Sequence, residues 1–258
     1  MQHTSYLFAP DYDPVTRRAW QFRNSTSYGA ITYGKSASLL ATLEGLIGSE
    51  TMDEAMRTYF QRFRFKHPTT EDFLRTVEQI AVTKGKAMSS STATASMDGP
   101  PPPLSINGMP ETTAVPAVNS SLRPFFDQAV YGTQMLDYSV DGMASEPVGS
   151  GKTKMFLSTV NLRRKGDFVF PVTADVLFED GSKVHEHWDG VDRWTRFTYT
   201  RSSKVVSIEI DPDHVIPLDR NFFNNSRTTQ WNTVPADKLT AIWLLVQQWG
   251  QQLIAWVV

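Results

Sequence analysis

Tyr33-Gly34-Lys35-Ser36-Ala37-Ser38-Leu39-Leu40-Ala41-Thr42-Leu43-Glu44-Gly45-Leu46-Ile47-Gly48 reads as a helix with a tyrosine at its head. Leu39, Leu40, Leu43, Leu46 and Ile47 recur at helical spacing and therefore share one face. Gly48 follows the last of them, where a glycine commonly closes a helix. A phenol held on a rigid helix can donate a hydrogen bond to a developing oxyanion, one of the larger single contributions open to an enzyme. The plainer reading of Tyr33 is a tyrosine that packs and hydrogen-bonds locally.

Two further helices follow on short connections. The first is expected to open at Thr51, with Glu54 completing a capping box and Ala55, Met56, Tyr59, Phe60 and Phe63 as its apolar stripe. His67-Pro68 interrupts the chain, because proline restricts the residue before it. A third helix starts near Thr70 with Phe73, Leu74, Val77 and Ile80 inward, and Leu122 to Tyr131 resumes the helical period with Phe125, Phe126 and Val130. Between them, residues 87–119 are Ser, Thr, Ala, Pro and Gly with almost no charge, including four prolines from Pro100 to Pro103. Such a segment is expected to be a flexible insertion, since it has too little apolar surface to offset the entropy of ordering.

From about Met155 the period changes to two. Met155–Leu162, Phe168–Phe178, Lys183–Trp188, Trp194–Thr200 and Val205–Ile210 read as five strands, with Glu179-Asp180-Gly181-Ser182 as a hairpin turn. Short strands at this spacing predict a small antiparallel β-sandwich. The fold class is therefore α+β, in three parts: a helical region over 1–140, a β-sandwich domain over 150–226 and a Trp-rich apolar helix over 228–258. That last helix carries Trp243, Trp249 and Trp256, with Gln247, Gln248, Gln251 and Gln252 on one face. It is expected to pack on its own protein or on a partner segment. The alternative is contact with a membrane through 239–258, although only Lys238 flanks that stretch as a basic residue.

Composition narrows the function classes. The chain has 258 residues, a formal net charge of -2 and no cysteine. Near-neutral charge gives no footprint for nucleic acid, and the lack of cysteine excludes disulfides and thiolate metal sites. Met1-Gln2-His3-Thr4 starts no basic region followed by an apolar run, so no signal peptide is expected and the location is left open. Three Asn-x-Ser/Thr sequences, at Asn24, Asn119 and Asn224, are read as chance matches in its absence.

Other candidate sites are weaker. His185-Glu186-His187 would place two imidazoles on one face of a strand, where both could meet one metal with Asp189 or Asp192 as a third ligand. No metal site is assigned on two ligands alone. Gly149-Ser150-Gly151-Lys152-Thr153 mimics the end of a phosphate-binding loop, but Glu146 stands where its first glycine belongs and a strand follows. Asp11-Tyr12-Asp13-Pro14 reads as a solvated loop. The absence of a G-x-S-x-G elbow argues against an α/β-hydrolase.

The order of several stretches carries a resemblance. Tyr33 to Ala37, the Leu39–Ile47 helix, Gly48, Arg57 to Phe65, Phe65-Lys66-His67-Pro68-Thr69, Asp72-Phe73 and Phe125-Phe126-Asp127-Gln128 resemble the post-zinc helical part of the gluzincin aminopeptidases, the family of aminopeptidase N. Glu186-His187-Trp188-Asp189-Gly190, Arg193-Trp194, Ile210-Asp211-Pro212-Asp213, Leu218-Asp219 and Asn224-Asn225-Ser226 extend it into the following β-domain, most similarly to bacterial membrane-associated members. The resemblance implies the helical part of a thermolysin-like catalytic domain, a peptide substrate, and Tyr33 supporting the tetrahedral intermediate of hydrolysis. It also implies zinc as the family's metal. The family's ligands are an H-E-x-x-H motif and a later glutamate ahead of the tyrosine, and nothing in residues 1–32 matches either. The chain thus reads as the C-terminal portion of such an enzyme, with no zinc expected on its own motif. Activity would need the zinc-bearing segment as a partner, in cis or from another chain, because a zinc hydrolase uses the metal to activate water. The alternative is a non-catalytic interaction module that retains the fold.

Overall fold

A computed structural model describes residues 6–7, 11–86, 121–148 and 154–229. The insertion expected at 87–119, the Gly149–Thr153 turn and the helix expected at 239–258 lie outside these residues. The chain divides into two compact units, Met1–Arg227 and Thr228–Val258, the second almost wholly outside the described residues. Among the described residues no helix is long and apolar enough to cross a membrane.

The helical part runs α1 (Ser25–Gly29), a π-helical turn (Ala30–Lys35), α2 (Ser36–Ile47), α3 (Ser49–Phe63), α4 (Thr70–Thr83) and α5 (Arg123–Phe126) with a second π-helical turn (Asp127–Tyr131). Leu39, Leu43 and Ile47 of α2 are buried, as their spacing predicts, and Gly48 ends the helix at φ 85°. The capping box expected at Thr51 does not form. Gly48 is itself the N-cap of α3, so Thr51 lies inside that helix and is buried. On α3 only part of the expected stripe turns inward: Ala55 is buried, whereas Met56 and Phe60 are exposed.

The capping box forms at α4 instead. The Asp72 N–H donates to Thr69 Oγ1, and the Asp72 carboxylate accepts from the Thr69 N–H at 2.8 Å. Two otherwise orphaned N–H groups are thus satisfied reciprocally. Thr69→Ala is expected to lose about 1 kcal/mol of stability, measured as a lower urea midpoint at unchanged m-value.

Seven strands follow: β1 (Tyr138–Val148), β2 (Met155–Arg164), β3 (Val172–Phe178), β4 (Lys183–Trp188), β5 (Trp194–Arg201), β6 (Val205–Ile210) and β7 (Ser226–Thr228). They form one sheet ordered β1-β2-β5 and another ordered β4-β3-β6-β7. The pairs β1–β2, β2–β5, β3–β4 and β3–β6 are all antiparallel. Burial alternates along β3, with Val172, Ala174, Val176 and Phe178 inward, as a period of two requires. The sheets touch through Phe178 and Tyr199, whose rings meet edge-on at 5.3 Å, and through the Val205 N–H, which donates to Ser145 Oγ at 3.3 Å.

Three features depart from the sequence expectation in this half. Strand β1 was not expected at all. The register of β1–β2 shifts between Val140 and Gly142, and that bulge breaks the alternation by which a strand is recognised. Strand β3 begins at Val172 rather than Phe168, because Phe168 and Phe170 leave the sheet to pack on Phe125. The short β7 strand is the third addition.

The hairpin at 179–182 forms as expected, with Gly181 at φ 80°. Asp180 accepts hydrogen bonds there from the Ser182 N–H and from the hydroxyls of Ser182 and Ser203. These donors hold its pKa down at about 2. A carboxyl whose folded value lies below the unfolded one adds stability above the unfolded value, near pH 4, and loses it as pH falls through the folded value. Asp180→Asn is therefore expected to flatten the acid limb of stability between about pH 4 and pH 2, read by denaturation at stepped pH.

Helices and strands share one continuous core. Phe125 stands at its centre, 5.8 Å from the rings of Phe126, Phe168 and Phe170. Gln128 clamps the backbone of Val169 in both directions: its Oε1 accepts from the N–H at 2.7 Å and its Nε2 donates to the carbonyl at 3.2 Å. On the other side, the Leu218 N–H donates to the buried Thr42 Oγ1 at 3.0 Å. These bonds fix the helical layer against the strands and so fix the direction in which its exposed side chains project.

Candidate functional site

Tyr33 does not stand at the head of its helix. The helical run begins at Ser25, where the Asn24 side chain accepts from the Ser27 N–H at 2.8 Å. Tyr33 lies further in, within the π-helical turn that joins α1 to α2. The Ser36 N–H bonds the Ile31 carbonyl across five residues, and the Ser36 hydroxyl donates to the same oxygen at 3.2 Å. Widened turns of this kind recur at functional positions because they re-aim side chains relative to a regular helix. Here Ala30, Ile31, Gly34 and Lys35 are buried, while Tyr33 is 67% exposed. Its phenol has no hydrogen-bond partner among the described residues.

The turn is anchored from beneath. Asp13, read as part of a solvated loop, is fully buried under the start of α1. Its carboxylate accepts from the Ser27 hydroxyl and from the Arg23 N–H at 3.1 Å, and pairs with Arg17 at 2.8 Å. Burial works to raise its pKa. The bonds from Ser27 and Arg23 and the charges of Arg17 and Arg23 outweigh that and hold it below the usual carboxylate range.

Lys35 is the second residue that sequence reasoning missed. Its side chain is fully buried and its Nζ donates to the Gly132 carbonyl at 3.1 Å. Burial, with no carboxylate partner among the described residues, lowers its pKa to about 8. The only sequence signal was its helical spacing from Ile31, Ser38 and Leu39, all of which are buried.

His185 and His187 do share the outward face of β4, as strand alternation predicts. The neighbouring carboxylate is Asp175 of β3, rather than the expected Asp189 or Asp192. Asp175 contacts both His185 and Lys183. Burial works against its charge, but those two partners keep its pKa below the usual range. Asp189 instead accepts from the Val191 N–H in a local turn.

What this arrangement can do chemically is donate a hydrogen bond from an exposed, rigidly mounted phenol. Residues 15–94, which contain that phenol, match the sequence profile of the Peptidase family M1 domain. Over that stretch the resemblance to the gluzincin aminopeptidases is borne out. That family is zinc-dependent, yet among the described residues no group of three or more His, Asp or Glu could hold a metal ion. The residues described therefore do not fit a zinc site, and the chemistry assigned to them is limited to their own groups. No curated protein matches the chain. The crystal structure of Legionella pneumophila aminopeptidase A in complex with aspartic acid is similar to it at a TM-score of 0.44 and 14% identity. That similarity covers 83% of this chain, and the chain spans 21% of the length of that one.

Proposed function

We propose that the chain is the C-terminal portion of an aminopeptidase-like zinc hydrolase acting on peptides, in which Tyr33 donates a hydrogen bond to the oxyanion of the tetrahedral intermediate. The observation that carries this is the exposed phenol of Tyr33 on a widened helical turn, inside the segment that matches the peptidase family. The two antiparallel sheets are proposed to be the small β-sandwich that follows the thermolysin-like helical part in such enzymes. Metal and general base would be supplied by a zinc-bearing segment, in cis or from another chain. Tested directly, the purified chain alone should hold no stoichiometric zinc and should not cleave aminoacyl reporter peptides. Zinc-dependent cleavage by the chain alone would sink the proposal.

A second reading, a non-catalytic interaction module, is supported by a different observation. Phe60 and Phe65, in and just after α3, are 65% and 96% exposed and offer apolar surface that a partner could cover. Under that reading Tyr33→Phe changes no hydrolysis at all, whatever segment is supplied.

A further inference from the structure

The burial of Lys35 needs an account. Taking an ammonium out of water with one carbonyl as acceptor is costly, and an apolar side chain of the same length would fill the space without that cost. The geometry of the bond supplies a reason. Lys35 closes the same π-helical turn that presents Tyr33, two residues away. Its acceptor, Gly132, directly follows the second π-helical turn. That turn is itself held fast, by Gln128 on the Val169 backbone and by the Tyr131 hydroxyl, which donates to Glu71 at 3.2 Å. Two irregular turns are therefore tied by one partly buried bond between residues 97 apart in sequence.

We propose that Lys35 is a positioning residue for Tyr33: its bond to the Gly132 carbonyl locks the π-helical turn and so fixes the direction in which the phenol projects. The proposal rests on the oxyanion role assigned to Tyr33 above. Ser36 already ties its own backbone within the turn, but those bonds are local and reach no other element. Among the described residues, only Lys35 connects it by a side-chain hydrogen bond to a distant, clamped element.

The test uses the chain labelled with 3-fluorotyrosine and followed by fluorine NMR, with the Tyr33 line assigned by its loss in Tyr33→Phe. In both Lys35→Met and Lys35→Gln the Tyr33 line should shift or broaden. The lines of the core tyrosines Tyr6 and Tyr138 should stay in place, which reports an intact fold. An unchanged Tyr33 line in folded variants would overturn the proposal. Loss of the core lines in both variants would overturn it too, since the lysine would then serve the fold and not the phenol.

Activity gives an independent arm wherever hydrolysis is obtained with a zinc-bearing segment. Lys35→Met should lower kcat on the order of ten- to a hundred-fold with KM little changed, and should lower it no further in a Tyr33→Phe background. Equal losses in both backgrounds would overturn the positioning role. If Tyr33→Phe itself has no effect, the oxyanion reading fails, whatever the fluorine spectra report about the turn.

Discussion

Tyr33→Phe is expected to lower kcat on the order of a hundred- to a thousand-fold in hydrolysis supported by the chain together with a zinc-bearing segment, with KM nearly unchanged. The split follows from where the hydrogen bond acts. A donor aimed at charge that develops only in the transition state contributes little to binding the uncharged carbonyl of the substrate. Phenylalanine keeps the ring and removes only the hydroxyl. Because the side chain is 67% exposed and its hydroxyl has no partner among the described residues, the loss leaves no buried polar group unsatisfied. Stability should therefore stay within about 0.5 kcal/mol of the unmodified chain, which separates a chemical role from a packing role. A fall in stability with no change in kcat would identify Tyr33 as a structural residue.

Gly190→Ala is expected to destabilise the fold by about 2–5 kcal/mol. Two effects add. Gly190 sits at φ 70°, where an L side chain is strained, and a Cβ there would overlap both the Tyr138 hydroxyl and the Phe170 carbonyl. Neither obstacle can give way cheaply. The Tyr138 hydroxyl donates to that carbonyl, and its ring packs edge-on against Trp188 at 5.2 Å. The Gly190 carbonyl accepts from the buried Arg164 Nε at 2.8 Å, while the Arg164 Nη1 donates to the Gly166 carbonyl at 2.8 Å. Shifting Gly190 to relieve the overlap would thus disturb a buried guanidinium. Gly181→Ala provides the comparison. Its φ is 80°, but nothing lies within 4 Å of the added methyl, so only the backbone strain of about 1–2 kcal/mol should appear. Equal urea midpoints for the two variants would show that the steric part of this account is wrong.

The parts of the fold that sequence disclosed are those where one signal dominates. The α2 stripe and the alternation of β3 are strong because each face has one job, and Gly48 and Gly181 punctuate them cleanly. Where two signals overlap, sequence misleads. Thr51 and Glu54 have the spacing of a capping box, but the turn is made entirely by Gly48, so α3 starts two residues sooner. Strand β1 hides behind its own bulge and Pro147. Tyr33 is singled out by the order of motifs around it, yet its setting was not legible. A π-helical turn depends on one backbone bond slipping by a residue, which leaves no mark on side-chain periodicity. Lys35 and Asp13 were illegible for a simpler reason: charged residues are read as solvated by default, and it is partners met only in the fold, Gly132 for Lys35 and Arg17, Arg23 and Ser27 for Asp13, that make their burial tolerable.

On the proposed function, this chain brings an oxyanion donor to a zinc peptidase whose metal is held by another segment. The most direct measurement is release of N-terminal residues from a reporter peptide by a zinc-loaded segment bearing H-E-x-x-H and its later glutamate, assayed with and without the folded chain. Hydrolysis is expected only when both are present. Equal rates with and without the chain would contradict it.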